Sequence, residues 1–163
     1  MTHDDPELSD QFRLALNAWM RRLKTKLPEK LVEAYLNTSY NVKCGETVVS
    51  LEVDLYSDEI RRFMEQASCK QCAFITPFNP LGKALSAAEN DARMSDFKRD
   101  LDSSGYKYVD GVGVGKLGDW PGEESVFILD VSEADAIYFG KKYQQNAIVL
   151  VGSEAIPVLI LLQ

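Results

Sequence analysis

The sequence predicts an α+β protein, in which a mixed sheet of about seven strands is flanked by helices and a helical layer lies at the N-terminus. The order is two helices, two strands, a helix, a strand, a helix, two strands, a helix and two strands. This order is neither strict βα alternation nor all-β. At roughly 100 to 200 residues per domain, the 163 residues predict a single domain, 1–163, with helices over 1–37 and an α+β body over 38–163.

The N-terminal helices are predicted from apolar spacing. Apolar residues recur at three- and four-residue steps over residues 9–27, so this segment predicts an amphipathic helix packed on the body. Pro28 ends that helix and can open a second one carrying Leu31 and Tyr35. The stripe of the first helix consists of Phe12, Leu16, Trp19, Met20, Leu23 and Leu27.

The remaining elements follow from alternation, apolar runs and caps. Residues 38–43 and 47–55 predict a half-buried hairpin, and residues 72–76 predict an interior strand. Ser57, Ser86 and Ser132 each precede a helical pattern as N-caps, and Ser86 with Glu89 has the spacing of a capping box. Strands are predicted at 106–114, 125–131, 147–151 and 158–162.

Composition and charge argue against several classes of protein. With 45% hydrophobic and 26% charged residues the chain is an ordinary globular protein, and no apolar run is long enough to span a membrane. The acidic N-terminus lacks the features of a signal peptide and three cysteines are an odd count, so we expect a cytoplasmic location. A net charge of −7 disfavours general nucleic-acid binding, although Arg21, Arg22, Lys24 and Lys26 form a local basic cluster.

Two motifs have the residue spacing of known sites but lack the following helix or the further ligands that those sites require. The run GVGKLG at 113–118 has the glycine spacing of a dinucleotide fingerprint, but a strand follows it where a helix is required. We therefore expect a glycine-rich strand end that another backbone or a ligand approaches closely. Cys69 and Cys72 have zinc-ligand spacing, yet only Cys44 and His3 remain as further ligands, and we predict free thiols, no metal site and no cofactor.

Polar residues gather where the interior strand ends. Thr76 and Asn79 follow that strand, at the kind of strand end where ligands bind in sheets flanked by helices. Asn90 continues the apolar stripe of the next helix, so its amide points toward the core and needs hydrogen-bond partners. The structural alternative is that Asn79 is a turn residue, Glu89 a cap partner and Asn90 a tie for the loop.

A pair of carboxylates opens the strand after the glycine run. Glu123 and Glu124 are adjacent, and adjacent strand residues face opposite sides, so only one of them can join the polar cluster. The other possibility is a solvated strand start.

Four short motifs resemble a family of small bacterial proteins known only as a domain of unknown function. They are Ile75-Thr76-x-x-Asn79-Pro80, Glu89-Asn90, Trp120-x-x-Glu123-x-Ser125 and Tyr143-x-Gln145-x-Ala147. The resemblance covers about residues 34–151. This chain departs from the family at Pro77, where alanine is common, at Val126, which separates the serine from the aromatic residue, and at Gln144, where glycine precedes the glutamine. The resemblance implies that Thr76, Asn79, Asn90, Glu123 and Gln145 form one group, and it implies no reaction.

Two functions remain open at this point. The first is a pocket for a small polar ligand, such as a nucleotide or modified base, lined by those five residues, with Trp120 or Tyr40 as a stacking face and Glu123 as general acid or base. The second is an acidic interaction module of the immunity or inhibitor type, which would neutralise a basic partner.

Overall fold

The computed structural model describes residues 9–116 and 122–163, in which five α-helices flank one seven-stranded sheet. The helices are α1 (Asp10–Lys24), α2 (Glu29–Leu36), α3 (Asp58–Gln66), α4 (Ala87–Ser103) and α5 (Glu133–Lys142). The strands are β1 (Thr38–Cys44), β2 (Thr47–Leu51), β3 (Cys72–Ile75), β4 (Tyr108–Gly115), β5 (Glu123–Ile128), β6 (Ala147–Val151) and β7 (Pro157–Leu161). The predicted α+β class and the seven strands are confirmed.

The sheet has the order β2-β1-β4-β5-β3-β6-β7, and every pair of neighbours is antiparallel. The sequence predicted a mixed sheet, and the difference has a topological reason. Helix α4 connects β3 to β4, which run in the same direction, but β5 lies between them. Likewise α5 connects β5 to β6, with β3 between them. Each crossover therefore spans an inserted antiparallel strand, as in the split βαβ arrangement of ferredoxin-like folds.

The N-caps of α3, α4 and α5 are those that the sequence predicts. The hydroxyl groups of Ser57, Ser86 and Ser132 accept hydrogen bonds from the backbone N–H groups three residues on. Ser86 and Glu89 form the complete capping box. The second hairpin strand ends earlier than predicted, at Leu51, because the chain turns through a positive φ at Asp54, whose N–H donates to the carbonyl of Pro157.

The two faces of the sheet bury separate clusters of apolar side chains. One face packs Ile75, Val126 and Ile148 against α1, α4 and α5. The other face packs Phe74 and Phe127 against α2 and α3. The predicted N-terminal helical layer is thus divided between the faces. No helix in the described ranges is long and apolar enough to cross a membrane.

Helix α1 packs on β7 through the face opposite to the one predicted. Leu14 and Ala18 are buried, and Arg21 on the same side donates to the carbonyl of Leu161. The predicted stripe is exposed, apart from Leu27, which packs against the core: Phe12, Leu16, Trp19, Met20 and Leu23 are between 39% and 66% exposed. The prediction that this stripe is the buried face of the helix is wrong, because Leu14 and Ala18 are buried instead, on the side from which Arg21 reaches the carbonyl of Leu161.

Candidate functional site

The loop that follows β3 is tied to the start of β5. The Thr76 hydroxyl donates to the carbonyl of Glu124 at 2.7 Å and accepts from the N–H of Phe78 at 3.1 Å. Both hydrogen bonds position backbone at the end of the sheet. Thr76 therefore lies at the predicted strand end and fixes the path of the chain toward Asn79.

Asn79 and Asn90 form a mutual clamp between this loop and α4. Oδ1 of Asn90 accepts from the N–H of Asn79 at 3.0 Å, and Nδ2 of Asn90 donates to Oδ1 of Asn79 at 3.0 Å. Oδ1 of Asn79 also accepts from the N–H of Leu85 at 3.0 Å. Asn79 has a left-handed conformation, with φ of 50°, which asparagine tolerates better than most residues. The prediction that the amide of Asn90 is buried and hydrogen-bonded is confirmed.

Glu123 lies beside this clamp. Nδ2 of Asn79 donates to Oε1 of Glu123 at 3.2 Å. Glu123 pairs with Gly113 of β4, which in turn pairs with Tyr40 of β1, so the three residues form one row across the sheet. Because paired residues share a face, the side chains of Tyr40 and Glu123 point to the same side, with no side chain between them.

Two tyrosines accompany the carboxylate. The hydroxyl of Tyr40 donates to the carbonyl of Tyr35 at 2.6 Å. Burial raises the pKa of Tyr35, and the charge of Glu123 adds to the increase, while a side-chain hydrogen bond with Asn146 opposes it. Burial likewise raises the pKa of Tyr40, with Glu123 contributing. Both phenols are therefore neutral around Glu123 at physiological pH.

Tyr35 and Asn146 are members of the cluster that sequence reasoning missed. The sequence predicts Tyr35 only as part of the second helix, and Asn146 lies between the predicted Gln145 and a strand. Asn146 is buried. A buried amide next to an apolar strand is a signal that could have identified it, because such an amide needs partners. No pattern within α2 distinguishes Tyr35 from a core residue.

Gln145 holds the backbone next to the cluster. Its Nε2 donates to the carbonyls of Phe78 and Tyr143, at 3.0 and 3.1 Å. Arg93 of α4 adds bonds to the carbonyls of Pro77 and Tyr143. These contacts bring the end of α5 to the loop before Asn79. Gln144 has a φ of 57°, although the related motif has glycine there, and its carbonyl accepts from Leu81.

The remaining predictions concern a stacking face and the cysteines. Trp120 is among residues 117–121, which lie outside the description, as does His3. The ring of Tyr40 is buried edge-on against Phe74, with centroids 5.2 Å apart, so it does not offer a stacking face. Burial raises the pKa of Cys72 to about 12 and that of Cys44 to about 11. Within the described ranges, no three His, Cys, Asp or Glu side chains are arranged to hold a metal ion.

Residues 113–115 of the glycine run form the end of β4, and the close approach of another group to this strand is two residues earlier, at Gly111. A Cβ at Gly111 would lie 2.7 Å from Phe74 and 2.8 Å from the carbonyl oxygen of Asn41. The groups that approach Gly111 closely are thus the ring of Phe74 and the backbone of β1. Lys116, within the former fingerprint, forms an ion pair with Glu52 at 2.9 Å.

Comparison with known proteins finds a family model that matches part of the chain. A family model described as "Protein of unknown function (DUF3293)" matches residues 75–148, from the end of β3 into β6. No curated protein and no solved structure matches the chain. Asn79, Asn90, Glu123 and Asn146 lie within the matched residues, whereas Tyr35 precedes them. Residues 75–148 therefore match DUF3293, a family of unknown function, in agreement with the predicted resemblance to a domain of unknown function.

Proposed function

We propose that the cluster around Glu123 binds a small polar ligand of the nucleotide or nucleobase class. The observation that carries the proposal is the convergence of a half-buried carboxylate, two neutral phenols and three amides from separate segments of the chain. Amides and carboxylates match the donor and acceptor edges of such ligands. In small-molecule sites a few placed polar groups orient the ligand, and the cluster offers such groups at one end of the sheet.

Within this proposal the residues have different roles. Thr76, Asn90 and Gln145 fix the loop, since their hydrogen bonds go to backbone or to Asn79. Asn79 orients Glu123 through its Nδ2 atom. Glu123 is the group that contacts the ligand and acts as general acid or base if the ligand reacts.

The aromatic roles are also distinct. Tyr40 positions Tyr35, because its hydroxyl donates to the carbonyl of that residue. Tyr35 supplies a neutral hydroxyl near the carboxylate. Trp120 keeps its proposed role as a stacking face, from its position three residues before Glu123 in the sequence.

Mass spectrometry of untagged protein from its own cytoplasm tests the proposal. We expect the native mass to exceed the denatured mass by a few hundred daltons in the wild type, because a bound nucleotide survives gentle ionisation. In Glu123→Gln this excess should disappear. The matched control is Glu124→Gln, since Glu124 is adjacent but exposed on the opposite face of β5. An excess retained by Glu123→Gln, or equal native and denatured masses in the wild type, would contradict the proposal.

A second readout separates a ligand role from a structural one. Glu123→Gln keeps an oxygen that accepts from Asn79, so we expect the free energy of unfolding to change by less than about 1 kcal/mol. Removal of the charge should lower the pKa of Tyr35, because the carboxylate raises it. Residue-specific NMR titration measures that shift. A loss of several kcal/mol in urea unfolding would instead make Glu123 a structural residue.

The acidic interaction module stays a prediction that depends on the net charge of −7. It predicts salt-sensitive capture of a basic partner that survives substitution of Asn79 and Asn90. The cytoplasmic location also stays a prediction.

A further inference from the structure

The two cysteines with the C-x-x-C spacing lie together where the chain passes from α3 to β3. Cys72 is the first residue of β3, and alternation along the strand places it with Phe74 on the face of the sheet that α3 covers. Cys69 lies in the turn between α3 and β3 and packs against the same apolar cluster. Both sulfur atoms are therefore on one side of the sheet.

The two thiols are hydrogen-bonded to each other. The thiol of Cys72 donates to Sγ of Cys69, and the backbone N–H of Asp130 donates to both sulfur atoms. The thiol of Cys69 in turn donates to the carbonyl of Ala67 at 3.4 Å. Two sulfur atoms that share one donor and also contact each other are close enough for a bond to form between them with little movement of the backbone.

The two residues between the cysteines are anchored to the segment that follows β5. The N–H of Lys70 donates to Oδ1 of Asp130 at 3.3 Å, and the carbonyl of Gln71 accepts from the N–H of Val131 at 3.0 Å. Asp130 thus holds the turn through its side chain and the sulfur atoms through its backbone. Because the turn is already ordered, joining the two sulfur atoms costs little further conformational entropy in the folded protein.

The two thiols differ in their access to solvent. Cys69 is half-buried, whereas Cys72 is buried. Burial raises the pKa of both thiols, and their mutual hydrogen bond lowers the pKa of Cys69 and adds to the increase at Cys72. Cys69 is therefore the thiol that ionises more readily and that a reagent in solution can reach. Cys72 can attack only a sulfur atom that Cys69 presents to it.

We propose that Cys69 and Cys72 form a reversible disulfide by exchange with low-molecular-weight disulfides such as oxidised glutathione. The thiolate of Cys69 attacks one sulfur of the small disulfide, whose S–S bond breaks and releases one thiol. Cys72 then attacks Sγ of Cys69, so that the Cys69–Cys72 bond forms and the second thiol leaves. The protein gives up two electrons, and the protons of its two thiols end on the two released thiols. Cys72 lies at the opposite end of β3 from Thr76, so this proposal does not depend on the proposed ligand.

Incubation of the folded full-length protein with glutathione tests the exchange. After an acid quench and alkylation of the denatured chain, we expect all three cysteines to be alkylated in reduced glutathione and only Cys44 in oxidised glutathione. Trypsin cleaves after Lys70, between the two cysteines, so the disulfide should appear as peptide 63–70 joined to peptide 71–83. A wild type in which all three cysteines stay alkylatable, or which accumulates only mixed disulfides with glutathione, would overturn the proposal.

A comparison of the folded and the unfolded chain tests whether the fold positions the pair. The equilibrium constant for oxidation by glutathione should be at least about tenfold larger in the folded protein than in urea, because the fold raises the effective concentration of one thiol at the other. By linkage the disulfide then stabilises the fold by the same factor, which corresponds to about 1.4 kcal/mol of unfolding free energy. An equal or smaller constant in the folded protein would contradict the proposed positioning.

Single variants assign the two steps. Cys72→Ala should accumulate a mixed disulfide of glutathione at Cys69, because no second thiol releases it, whereas Cys69→Ser should leave the buried Cys72 unmodified. Cys44→Ser is the matched control and should form the disulfide as the wild type does. Circular dichroism checks that each variant is folded, and Cys69→Ser, at a half-buried position, decides the order of attack if Cys72→Ala unfolds. A mixed disulfide at Cys72 in folded Cys69→Ser, or loss of the disulfide in Cys44→Ser, would overturn the assignment.

Discussion

Gly111 lies where the ring of Phe74 crosses from β3 over β4. Between them is Ser125, a small buried residue that pairs with Gly111. The ring of Phe74 continues to Tyr40, which it meets edge-on. The absence of a side chain at Gly111 thus allows the aromatic pair to form, and through Tyr40 it affects the position of Tyr35. Gly111 has a packing role in this part of the sheet.

Gly111→Ala should therefore destabilise the fold. Its Cβ would lie under 3 Å from the Phe74 ring and from the backbone oxygen of Asn41, which cannot move as a flexible side chain can. We expect the free energy of unfolding to fall by about 2 kcal/mol, as for overpacked cores. Urea unfolding measures this change.

Gly113→Ala is the matched control for that substitution. A Cβ there has only ordinary contacts, the nearest at 3.8 Å, so we expect a change below about 0.5 kcal/mol. Equal losses at the two glycines would show that the sheet resists any side chain in this strand, and that Phe74 is not the cause.

Helices α4 and α5 are joined by a charged contact at their ends. Lys142 forms an ion pair with Asp100 at 2.7 Å, and the hydroxyl of Tyr143 donates to the same carboxylate. The hydrogen bonds from Lys142 and Tyr143 lower the pKa of Asp100 below its usual value. Since Arg93 connects α4 to the backbone of Tyr143, this contact also supports the loop beside the polar cluster.

Asp100→Asn should reduce stability in a pH-dependent way. A depressed pKa in the folded protein means that the carboxylate stabilises the fold fully above its unfolded pKa of about 3.9, and that this contribution disappears as the pH falls through the folded pKa. We expect a loss of about 0.5 kcal/mol at pH 7, the value of an exposed ion pair, and a difference that disappears as the pH falls through the lowered pKa of Asp100.

Urea unfolding of the wild type and the variant at several pH values measures this loss. Asp91→Asn is the control, because Asp91 is an exposed carboxylate of α4 for which no bond to α5 is found in the described part of the chain. A loss at Asp100 that is as large at low pH as at neutral pH would contradict the ionic explanation.

The central strands of the sheet are buried, and its two edge strands differ in how far they are covered. Strand β3 is buried at every residue and lies in the interior of the sheet. Of the two edge strands, β7 is also buried throughout and is covered by α1, whereas β2 alternates between exposed and buried residues. Local opening should therefore begin at the β2 edge.

Hydrogen exchange measures this difference directly. We expect amides of β3 and β6 to exchange slowest, amides of β7 to be protected, and amides of β2 to exchange fastest among the strands. The comparison of β7 with β2 is the internal control, because both are edges and they differ in their cover. Equal protection of the two edges would mean that α1 contributes little to the stability of β7.

Local features were predictable because their partners lie a few residues away. The caps at Ser57, Ser86 and Ser132 each involve an N–H group three residues on, so the short-range pattern contains the whole interaction. The burial of Asn90 follows equally from helical spacing. The seven strands follow from apolar runs and alternation. The division of the chain at residue 37 stays a prediction.

The arrangement of these elements depends on contacts between distant residues, which no local pattern contains. A helix that connects two strands running in the same direction fits two arrangements: the strands can be adjacent, or an antiparallel strand can lie between them. Helices α4 and α5 both span such an inserted strand, an arrangement that depends on packing across the whole sheet. Helix α1 has two apolar faces, and its contact with the end of the chain, which is distant in sequence, buries the one with Leu14 and Ala18. Tyr35, Asn79, Glu123 and Asn146 come together for the same reason: the folded sheet places the ends of separate segments side by side.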